Sequence, residues 1–451
     1  MTVTEKRPMK LAAYPQYKPS GVEWLGEIPG HWKVIRVKTL EGNTSRVVQT
    51  GPFGAQLHAS DYVDEGIPLI LIRNVGEMRL DESNMPRVEL EDAERLSMYR
   101  VEPGDIVFSR VGSIGRIAPI TERERGWLIS GQMLRLRVRN PALDSRFAAY
   151  AFGSSSVLTF VELQSVGSTR ESINTDILRN LPLPLPPVDD QHAIAVFLDR
   201  ETQRIDSLVA KKERQIELLQ EKRAALISHA VTKGLDPNVP MNDSGIQWLG
   251  AIPNHWDVYR AKVLFREVND RSTTGDEELL TVSHITGVTP RAEKDVNMFL
   301  AESLEDYKRC DPGDLVINTM WAWMGAMGFA SRAGIVSPSY NVYRFRNNAP
   351  EPRFYDYLFR TGRFAAEVRC HSQGIWTSRL RLYPEEFFEI RLPCPPPGEQ
   401  RSIVAAIQNE TGSYDVLQAR IERSIEKLRE YRVALISAAV TGKIDVREEA
   451  A

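Results

Sequence analysis

An internal repeat constrains the fold more than any other feature of the sequence. Residues 20–32 read SGVEWLGEIPGHW, and residues 244–256 read SGIQWLGAIPNHW. The other matching pairs of segments are 102–110 with 311–319, 183–194 with 392–403, and 225–236 with 434–445. Solenoid repeats are only about 20–50 residues long, so this much longer period indicates two copies of one folding unit.

Each copy is predicted to be a globular domain followed by a long helix. The predicted segments are an N-terminal tail 1–16, a first globular domain 17–187, a first helix 188–236, a second globular domain 237–397, a second helix 398–445 and a tail 446–451. A length of 451 residues fits such a multidomain chain.

The composition is typical of a soluble globular protein, with 42% hydrophobic and 26% charged residues. Three distant cysteines, Cys310, Cys370 and Cys394, argue against a disulfide framework and favour a reducing compartment. The opening residues lack the apolar stretch of a signal peptide, and the uncharged run 315–331 is too short for a membrane span. These features predict a cytoplasmic protein.

Short strands and later helices predict the class of the globular domains. The predicted strands are IPLILI (67–72), GDIVFS (104–109), MLRLRV (133–138), ELLTV (278–282), GDLVIN (313–318) and YNVYRF (340–345). Helical patterns follow in SRFAAYAFGSS and PRFYDYLFRTGRFAAEV. We therefore predict α/β (α+β) domains with mostly antiparallel or mixed sheets.

The segments after Pro186–Pro187 and Pro396–Pro397 carry the same apolar stripe, with a period near 3.5 residues that is typical of coiled coils. Its core positions are Ile194, Leu198, Ile205, Leu208, Ile216 and Leu219 in the first copy, and Ile403, Ile407, Leu417, Ile421 and Leu428 in the second. The two helices are predicted to pair, either parallel or antiparallel. Antiparallel pairing would relate the copies by a pseudo-two-fold axis.

Motifs of common enzymes are absent from the sequence. It contains no GxxxxGK[ST], GxGxxG, HExxH, CxxC or GxSxG pattern, and no Asp/Asn-Pro-Pro-aromatic motif of amino-methyltransferases. This favours a binding protein over an enzyme and predicts no metal site.

The combined motifs resemble the specificity subunit of type I restriction–modification enzymes. They are SGVEWLGEIPGHW, PGDIVFSRVGSIG, PLPLPPVDDQ and a long helix that ends in RAALISHAVTKGLD, and the second copy repeats them. The resemblance covers nearly the whole chain, and the combination is far more specific than any single motif.

The resemblance implies a role without catalysis on this chain. Each globular domain would be a target-recognition domain for one half of a bipartite, asymmetric double-stranded DNA site, and the two helices would pair antiparallel. The implied partners are two modification subunits, with adenine-N6 methyltransferase activity and S-adenosylmethionine, and restriction subunits with ATP-dependent nuclease activity and Mg. No cofactor is expected on this chain.

Divergent loops and basic strands supply the candidate DNA contacts, because Arg suits guanine, Gln and Asn suit adenine, and aromatic side chains can wedge between bases. In the first domain the candidates are Phe53, Gln56, Arg110, Ser113, Arg116, Arg135, Arg137, Thr169 and Arg170. In the second they are Asn318, Thr319, Trp321, Trp323, Tyr340, Asn341, Arg344, Thr377 and Arg379.

These candidates have structural alternatives. The aromatic residues also suit a core, the alternating arginines a solvated strand face, and the polar loops a helix N-cap. Six residues recur in both copies and are assigned to structure, since two half-sites should be read by different side chains: Trp24, His31, Trp32, Trp248, His255 and Trp256.

A second function fits the same layout. A coiled-coil scaffold that binds two protein partners without nucleic acid would explain a net charge of −3 equally well, because DNA binding draws much of its affinity from basic surface.

Overall fold

A computed structural model describes residues 12–40, 47–52, 56–110, 116–137, 140–165, 175–294, 303–347, 350–376 and 379–449. The chain divides into two compact units, 1–212 with 423–451 and 213–422. Each unit therefore combines one predicted globular domain with parts of both long helices.

The helices, in chain order, are α1 (Leu90–Arg95), α2 (Ser145–Phe152), α3 (Ser155–Ser165), α4 (Thr175–Asn180), α5 (Val188–Lys233), α6 (Ala261–Leu264), α7 (Pro352–Phe359), α8 (Gly362–His371), α9 (Pro384–Glu389) and α10 (Pro397–Val440). The strands of the first unit are β1 (Tyr17–Pro19), β2 (Glu27–Pro29), β3 (Lys33–Arg36), β4 (Val48–Thr50), β5 (Tyr62–Val63), β6 (Ile67–Ile70), β7 (Arg87–Val88), β8 (Asp105–Ser109), β9 (Ile117–Pro119), β10 (Leu128–Ile129), β11 (Met133–Arg137) and β12 (Pro182–Leu185). Those of the second are β13 (Met241–Asp243), β14 (Ala251–Pro253), β15 (Asp257–Arg260), β16 (Phe265–Val268), β17 (Leu280–Ser283), β18 (Gly287–Pro290), β19 (Lys308–Cys310), β20 (Leu315–Asn318), β21 (Met327–Phe329), β22 (Gly334–Val336), β23 (Tyr340–Phe345) and β24 (Arg391–Cys394).

Both units are built on the same four-stranded antiparallel sheet. Its strand order is β4-β11-β8-β9 in the first unit and β16-β23-β20-β21 in the second. The apolar strands that follow the two PGD segments, β8 and β20, are buried along their whole length. The predicted class, with mostly antiparallel sheets, is confirmed.

The first unit carries a further sheet with the order β10-β6-β7-β5, in which β10 and β6 run parallel. It encloses a core of its own around Leu69, Val88 and Val107. The second unit has instead two small antiparallel pairs, the hairpin β17-β18 and the pair β19-β22, whose strands are separated in the chain by β20 and β21. The two globular parts therefore each contain the same kind of four-stranded sheet, but the additional strands beside that sheet differ.

The two long helices run antiparallel within each unit. In the first unit, Arg432 of α10 lies 3.0 Å from Asp206 of α5, while the beginning of α5 shares a core with the end of α10 at Ala439 and Val440. In the second unit, the Arg223 side chain of α5 donates a hydrogen bond to Asp415 of α10. Further along α5, Ala230 and Val231 share a core with Ile403 and Ile407, near the beginning of α10. The predicted antiparallel pair is thereby confirmed.

A glycine ends each long helix. Gly234 follows α5 with φ +78°, and Gly442 follows the end of α10 with φ +73°. This left-handed conformation suits glycine, which has no Cβ, and it is a common way to end a helix. The two glycines lie one position apart in the repeat, because the first copy ends in TKGLD and the second in TGKID.

The predicted apolar stripe is buried unevenly. Ile194, Leu198, Ile205, Ile403, Ile407 and Ile421 are buried, whereas Ile216, Leu219 and Leu428 are half-buried. The equivalent residues Leu208 and Leu417 are 36% and 45% exposed, so their predicted place in a closed coiled-coil core is wrong. A seam between only two helices covers less surface than the helix ends, which also pack against the globular parts.

Both predicted tails contribute to the core of the first unit. Tyr14 and Val446 are buried there, and Ala12 forms a β-bridge with Asp445. A single apolar residue in a short segment gives no periodic pattern, so the sequence alone did not reveal this packing.

Burial predicts different reactivities for the cysteines. Cys310 is buried, and desolvation raises the pKa of its thiol to about 12, whereas Cys370 is exposed. Because the thiolate is the reactive form, iodoacetamide at pH 8 should modify Cys370 in the folded chain and leave Cys310 intact. Peptide mass spectrometry checks this. Equal modification in the folded chain, with both thiols reactive in urea as the control, would contradict the burial of Cys310.

Candidate nucleic-acid interface

The shared opening segment of each copy supports the start of a long helix. The His31 ring lies 2.8 Å from Asp190 in the first turn of α5, and the His255 ring lies 2.7 Å from Glu399 in the first turn of α10. Trp32, Trp248 and Trp256 are buried in the cores of their units, and Trp24 is half-buried against the core of the first unit. These contacts agree with the structural role assigned from their repetition.

A buried glutamine repeats in the same way. Gln191 accepts from the backbone N–H of Asp144 at 2.8 Å and donates to the Pro186 carbonyl at 2.8 Å. Gln400 accepts from the backbone N–H of Glu351 and donates to the Pro395 carbonyl at the same distances. The prolines before each helix are thus tied to the globular part by one conserved arrangement of hydrogen bonds.

The aspartate of each PGD segment holds an arginine of the neighbouring strand. In the first unit, Arg137 donates to both oxygens of Asp105, at 2.9 and 2.7 Å. In the second, Arg344 donates to both oxygens of Asp314, each at 2.6 Å. Burial lowers the pKa of Arg137, but the bonds to Asp105 outweigh it and raise that pKa above its ordinary value. Hydrogen bonds from Asp314 similarly raise the pKa of Arg344.

This pairing changes the interpretation of three candidate DNA contacts. Arg137 and Arg344 make equivalent bonds in both copies, which is the pattern of a structural pair. Arg135 is only 4% exposed and donates to the carbonyls of Met98 and Arg100. The sequence predicted that these arginines lie on a strand face exposed to DNA or to solvent. That interpretation is corrected, because the side chains of all three form bonds within the unit that hold the sheet together.

Arg110 follows β8 and Arg116 precedes β9, the edge strand of the four-stranded sheet of the first unit. Arg116 is half-buried and makes one long hydrogen bond, 3.5 Å to the Ile72 carbonyl. It lines a cleft of about 520 Å³ together with Arg73 and Arg79. The exposed Arg73 and Arg79 were missed in the sequence because only the fold brings them beside Arg116.

The corresponding edge of the second unit carries aromatic side chains. Trp321 is 47% exposed and stacks on the half-buried Trp323, with ring centroids 6.3 Å apart. Trp323 donates through its indole nitrogen to the Met320 carbonyl at 3.1 Å, so the pair has a fixed orientation. Thr319 is half-buried and donates to the Ser339 carbonyl at 2.9 Å. Tyr340, which begins β23, is also half-buried.

Two asparagines beside this edge lie inside the fold. Asn318 is 5% exposed and accepts from the backbone N–H of Met320 at 3.2 Å. Asn341 is 8% exposed and accepts from the Lys308 amine at 2.9 Å. Burial lowers the pKa of Lys308. Both asparagine side chains are therefore buried and hydrogen-bonded within the unit, and neither forms part of the exposed edge.

Two of the remaining candidates lie in the described part of the chain. Gln56 is exposed and accepts a hydrogen bond from the Tyr99 hydroxyl at 2.9 Å. The Arg379 side chain is also exposed. Five other candidates fall outside the residues that the structure describes: Phe53, Ser113, Thr169, Arg170 and Thr377.

Neither a metal-binding cluster nor a membrane-spanning helix is present in the described part of the chain. No group of three or more His, Cys, Asp or Glu residues there is placed to hold a metal ion. Within the same ranges, no helix has the length and apolar character needed to cross a membrane.

Comparison with known proteins adds an independent observation. Residues 73–218 match the family model for the type I restriction modification DNA specificity domain. The predicted resemblance to type I specificity subunits is confirmed. The matched range includes the PGD strand, the divergent edge of the first unit and residues 188–218 of α5.

Curated specificity subunits are similar to parts of the chain. The type I restriction enzyme MjaX specificity subunit assigned in Methanocaldococcus jannaschii is 28% identical over 242 residues, which is 52% of each chain. The EcoBI specificity subunit of Escherichia coli is 23% identical over 181 residues, covering 40% of this chain and 37% of that one. The chain thus spans about half the length, or less, of these curated relatives.

Two solved structures show the same fold. A chain from a study of complex assembly and conformational transition in a type I restriction–modification system aligns with a TM-score of 0.65 and 14% identity, over 92% of this chain and 98% of that one. The HsdS subunit from Thermoanaerobacter tengcongensis aligns over the same shares, with a TM-score of 0.52 and 14% identity.

Proposed function

We propose that this chain is the DNA-recognition subunit of a type I restriction–modification complex. Each globular part would read one half of a bipartite, asymmetric target in double-stranded DNA. The observation that carries this proposal is that the two units have equivalent four-stranded sheets with different side chains at the edge. The first unit has Arg110 and Arg116 there, and the second has Thr319, Trp321 and Trp323.

The chemistry of these two edges suits different bases. Guanidinium groups can pair with the two acceptors of guanine in the major groove. Indole rings can stack on bases or contact the methyl group of thymine, and both contacts differ from those of arginine. Two unlike edges on equal scaffolds therefore support an asymmetric target, whereas a pure protein scaffold gives no reason for this divergence.

The two antiparallel helices support a role in assembly. They carry the same surface twice, because α5 and α10 repeat one sequence pattern, and two copies of one partner can bind equivalent surfaces. We propose that they dock two methyltransferase subunits and set the length of the unread spacer. In this proposal S-adenosylmethionine is bound by those subunits, ATP and Mg by restriction subunits, and neither catalysis nor a cofactor resides on this chain.

DNA binding in gel-shift titrations tests the proposal. The full-length chain with purified modification subunits should bind duplex DNA with an affinity that falls steeply between 50 and 200 mM salt, because bound phosphates release counterions. Arg116→Ala should reduce the slope of log K against log salt by about 1 if Arg116 neutralises one phosphate. Arg125→Ala, which removes an exposed arginine paired with Glu122, is the matched control and should leave the slope unchanged. Absent or salt-independent binding would favour the scaffold.

A further inference from the structure

An exposed apolar tip projects from the second unit just after α8. Ile375 is 95% exposed and Trp376 is 70% exposed. Among the described residues of this unit, Ile285, at 74%, is the one other large apolar side chain with comparable exposure. Tryptophan at such exposure leaves a large apolar ring in water, and exposed apolar patches commonly mark binding surfaces.

Hydrogen bonds join the two ends of the loop that carries the exposed tip. Gln373 and Arg381 exchange backbone hydrogen bonds of 2.9 Å in both directions, closing the base of the loop. The backbone N–H of Arg379 donates to the Trp376 carbonyl at 2.8 Å, and the Gln373 side chain donates to Glu386 at 2.7 Å. The loop thus presents its apolar residues from a closed base, which limits the entropy lost when they bind a partner.

The loop is joined to the aromatic edge already described. The backbone N–H of Leu382 donates to the Thr319 carbonyl at 3.1 Å, and α8 packs against the turn that holds Trp321 and Met324. Both of these side chains are exposed as well, at 47% and 38%. The tip therefore extends the surface that we propose to read the second half-site.

The two copies differ at this loop. After the loop glycine, the first copy continues with Ser168 and Thr169, and the second continues with Ile375 and Trp376. Several residues that serve the common fold recur in both copies, as His31 and His255 do. A difference in size and polarity at equivalent positions is instead what two readers of different half-sites require.

The charge around the tip favours a nucleic acid over a protein. Arg379 is exposed and Arg381 is half-buried beside it, and neither forms an ion pair with an acidic side chain among the described residues. The nearby Glu386 is engaged with Gln373 and lies 3.7 Å from the His371 ring. The Trp376 ring with Arg379 and Arg381 beside it suits a nucleic acid, in which stacked bases lie next to phosphates.

We propose that Trp376, supported by Ile375, is a specificity-determining residue that inserts against a base step of the second half-site. This inference rests on the proposed function. The indole would stack on a partly unstacked base, while Arg379 contacts a neighbouring phosphate. Stacking favours flexible pyrimidine–purine steps, so the loop would select the target partly through how easily the duplex deforms.

Titration of the full-length chain with a duplex selected by the wild-type protein tests this. Trp376→Ala should weaken binding by about 5- to 100-fold, the range for loss of one stacked base, without changing the salt dependence. Trp376→Phe should restore most of the affinity. Arg379→Ala should instead reduce the salt slope by about 1. Tyr259→Ala, which removes another exposed aromatic ring of the same unit, is the matched control and should bind as the wild type does.

Fluorescence of 2-aminopurine, placed at each step of the second half-site in turn, locates the contact. The wild type and Trp376→Phe should raise the signal at one step, and Trp376→Ala should not. If Trp376→Ala binds the duplex like the wild type, the inference fails while the proposed function stands. If the variant loses only binding to the modification subunits, the tip is a protein interface and the inference is also wrong. If the wild-type chain selects no duplex, both fail.

Discussion

Replacing Asp105 with alanine should lower the free energy of unfolding of the first unit by about 3–5 kcal/mol, the usual loss when one partner of a buried ion pair is removed. Asp105 is 2% exposed, and its carboxylate lies 2.7 Å from Arg137 and 3.8 Å from Arg135. Without it, two largely buried guanidinium groups keep their charge, because arginine does not lose its proton in proteins. The shared sheet would then open at its centre, between β8 and β11.

Native-state hydrogen exchange, followed by mass spectrometry, measures this loss locally. A local readout is needed because one free energy of unfolding is not defined for a chain of several domains. Peptides from β8 and β11 should exchange faster in Asp105→Ala. Glu122→Ala, which breaks an exposed pair with Arg125, is the control and should change stability by less than about 1 kcal/mol.

The equivalent change in the second unit should have a smaller effect. Asp314 is buried, but its partner Arg344 is 36% exposed and can be hydrated when the carboxylate is lost. We expect Asp314→Ala to lower the stability of the second unit by about 2 kcal/mol, near the value for one charged hydrogen bond. Equal exchange in wild type and both aspartate variants would contradict the structural role of these pairs.

Local patterns in the sequence predicted the main elements of the fold. The repeat, the two long helices and the strands after each PGD segment all follow from spacing and periodicity within a short window. For example, GDIVFS became the buried strand β8, and YNVYRF became β23 over the whole predicted range. Such features depend mainly on neighbouring residues, so one sequence is sufficient to predict them.

Side-chain partners depended on strand register, which the sequence did not reveal. Arg137 meets Asp105 because β11 and β8 pair with these two residues directly opposite each other. Periodicity could place Arg135 and Arg137 on one face of a strand, but not decide whether that face lies in water, against DNA or over a buried carboxylate. The same limit applies to Arg73 and Arg79, which only the fold brings to the cleft beside Arg116.

Changes at the edge of one unit should alter one half of the target and leave the other half unchanged. Arg110→Ala should relax the bases read by the first unit, because a lost bidentate contact is worth about 1–3 kcal/mol of discrimination. Trp321→Ala with Tyr340→Phe should relax the other half instead. These values correspond to roughly 5- to 150-fold changes in preference per base pair. Sequencing of duplexes that each variant retains from a randomised pool measures the effect.

The pattern of selectivity distinguishes recognition from a general loss of binding. A variant that only weakens the contact with phosphates should reduce affinity for all duplexes alike. Relaxation of both halves by changes in one unit would show that the units do not read separate sites. Hydrogen exchange of β8 and β23 in each variant serves as the control for folding.

Selection by the wild-type chain, assembled with its modification subunits, from a pool of fully randomised duplexes tests the central claim most directly. The account predicts two short conserved blocks of different sequence, separated by a spacer of fixed length in which all four bases occur equally. One continuous block, two identical blocks or no enrichment would contradict it.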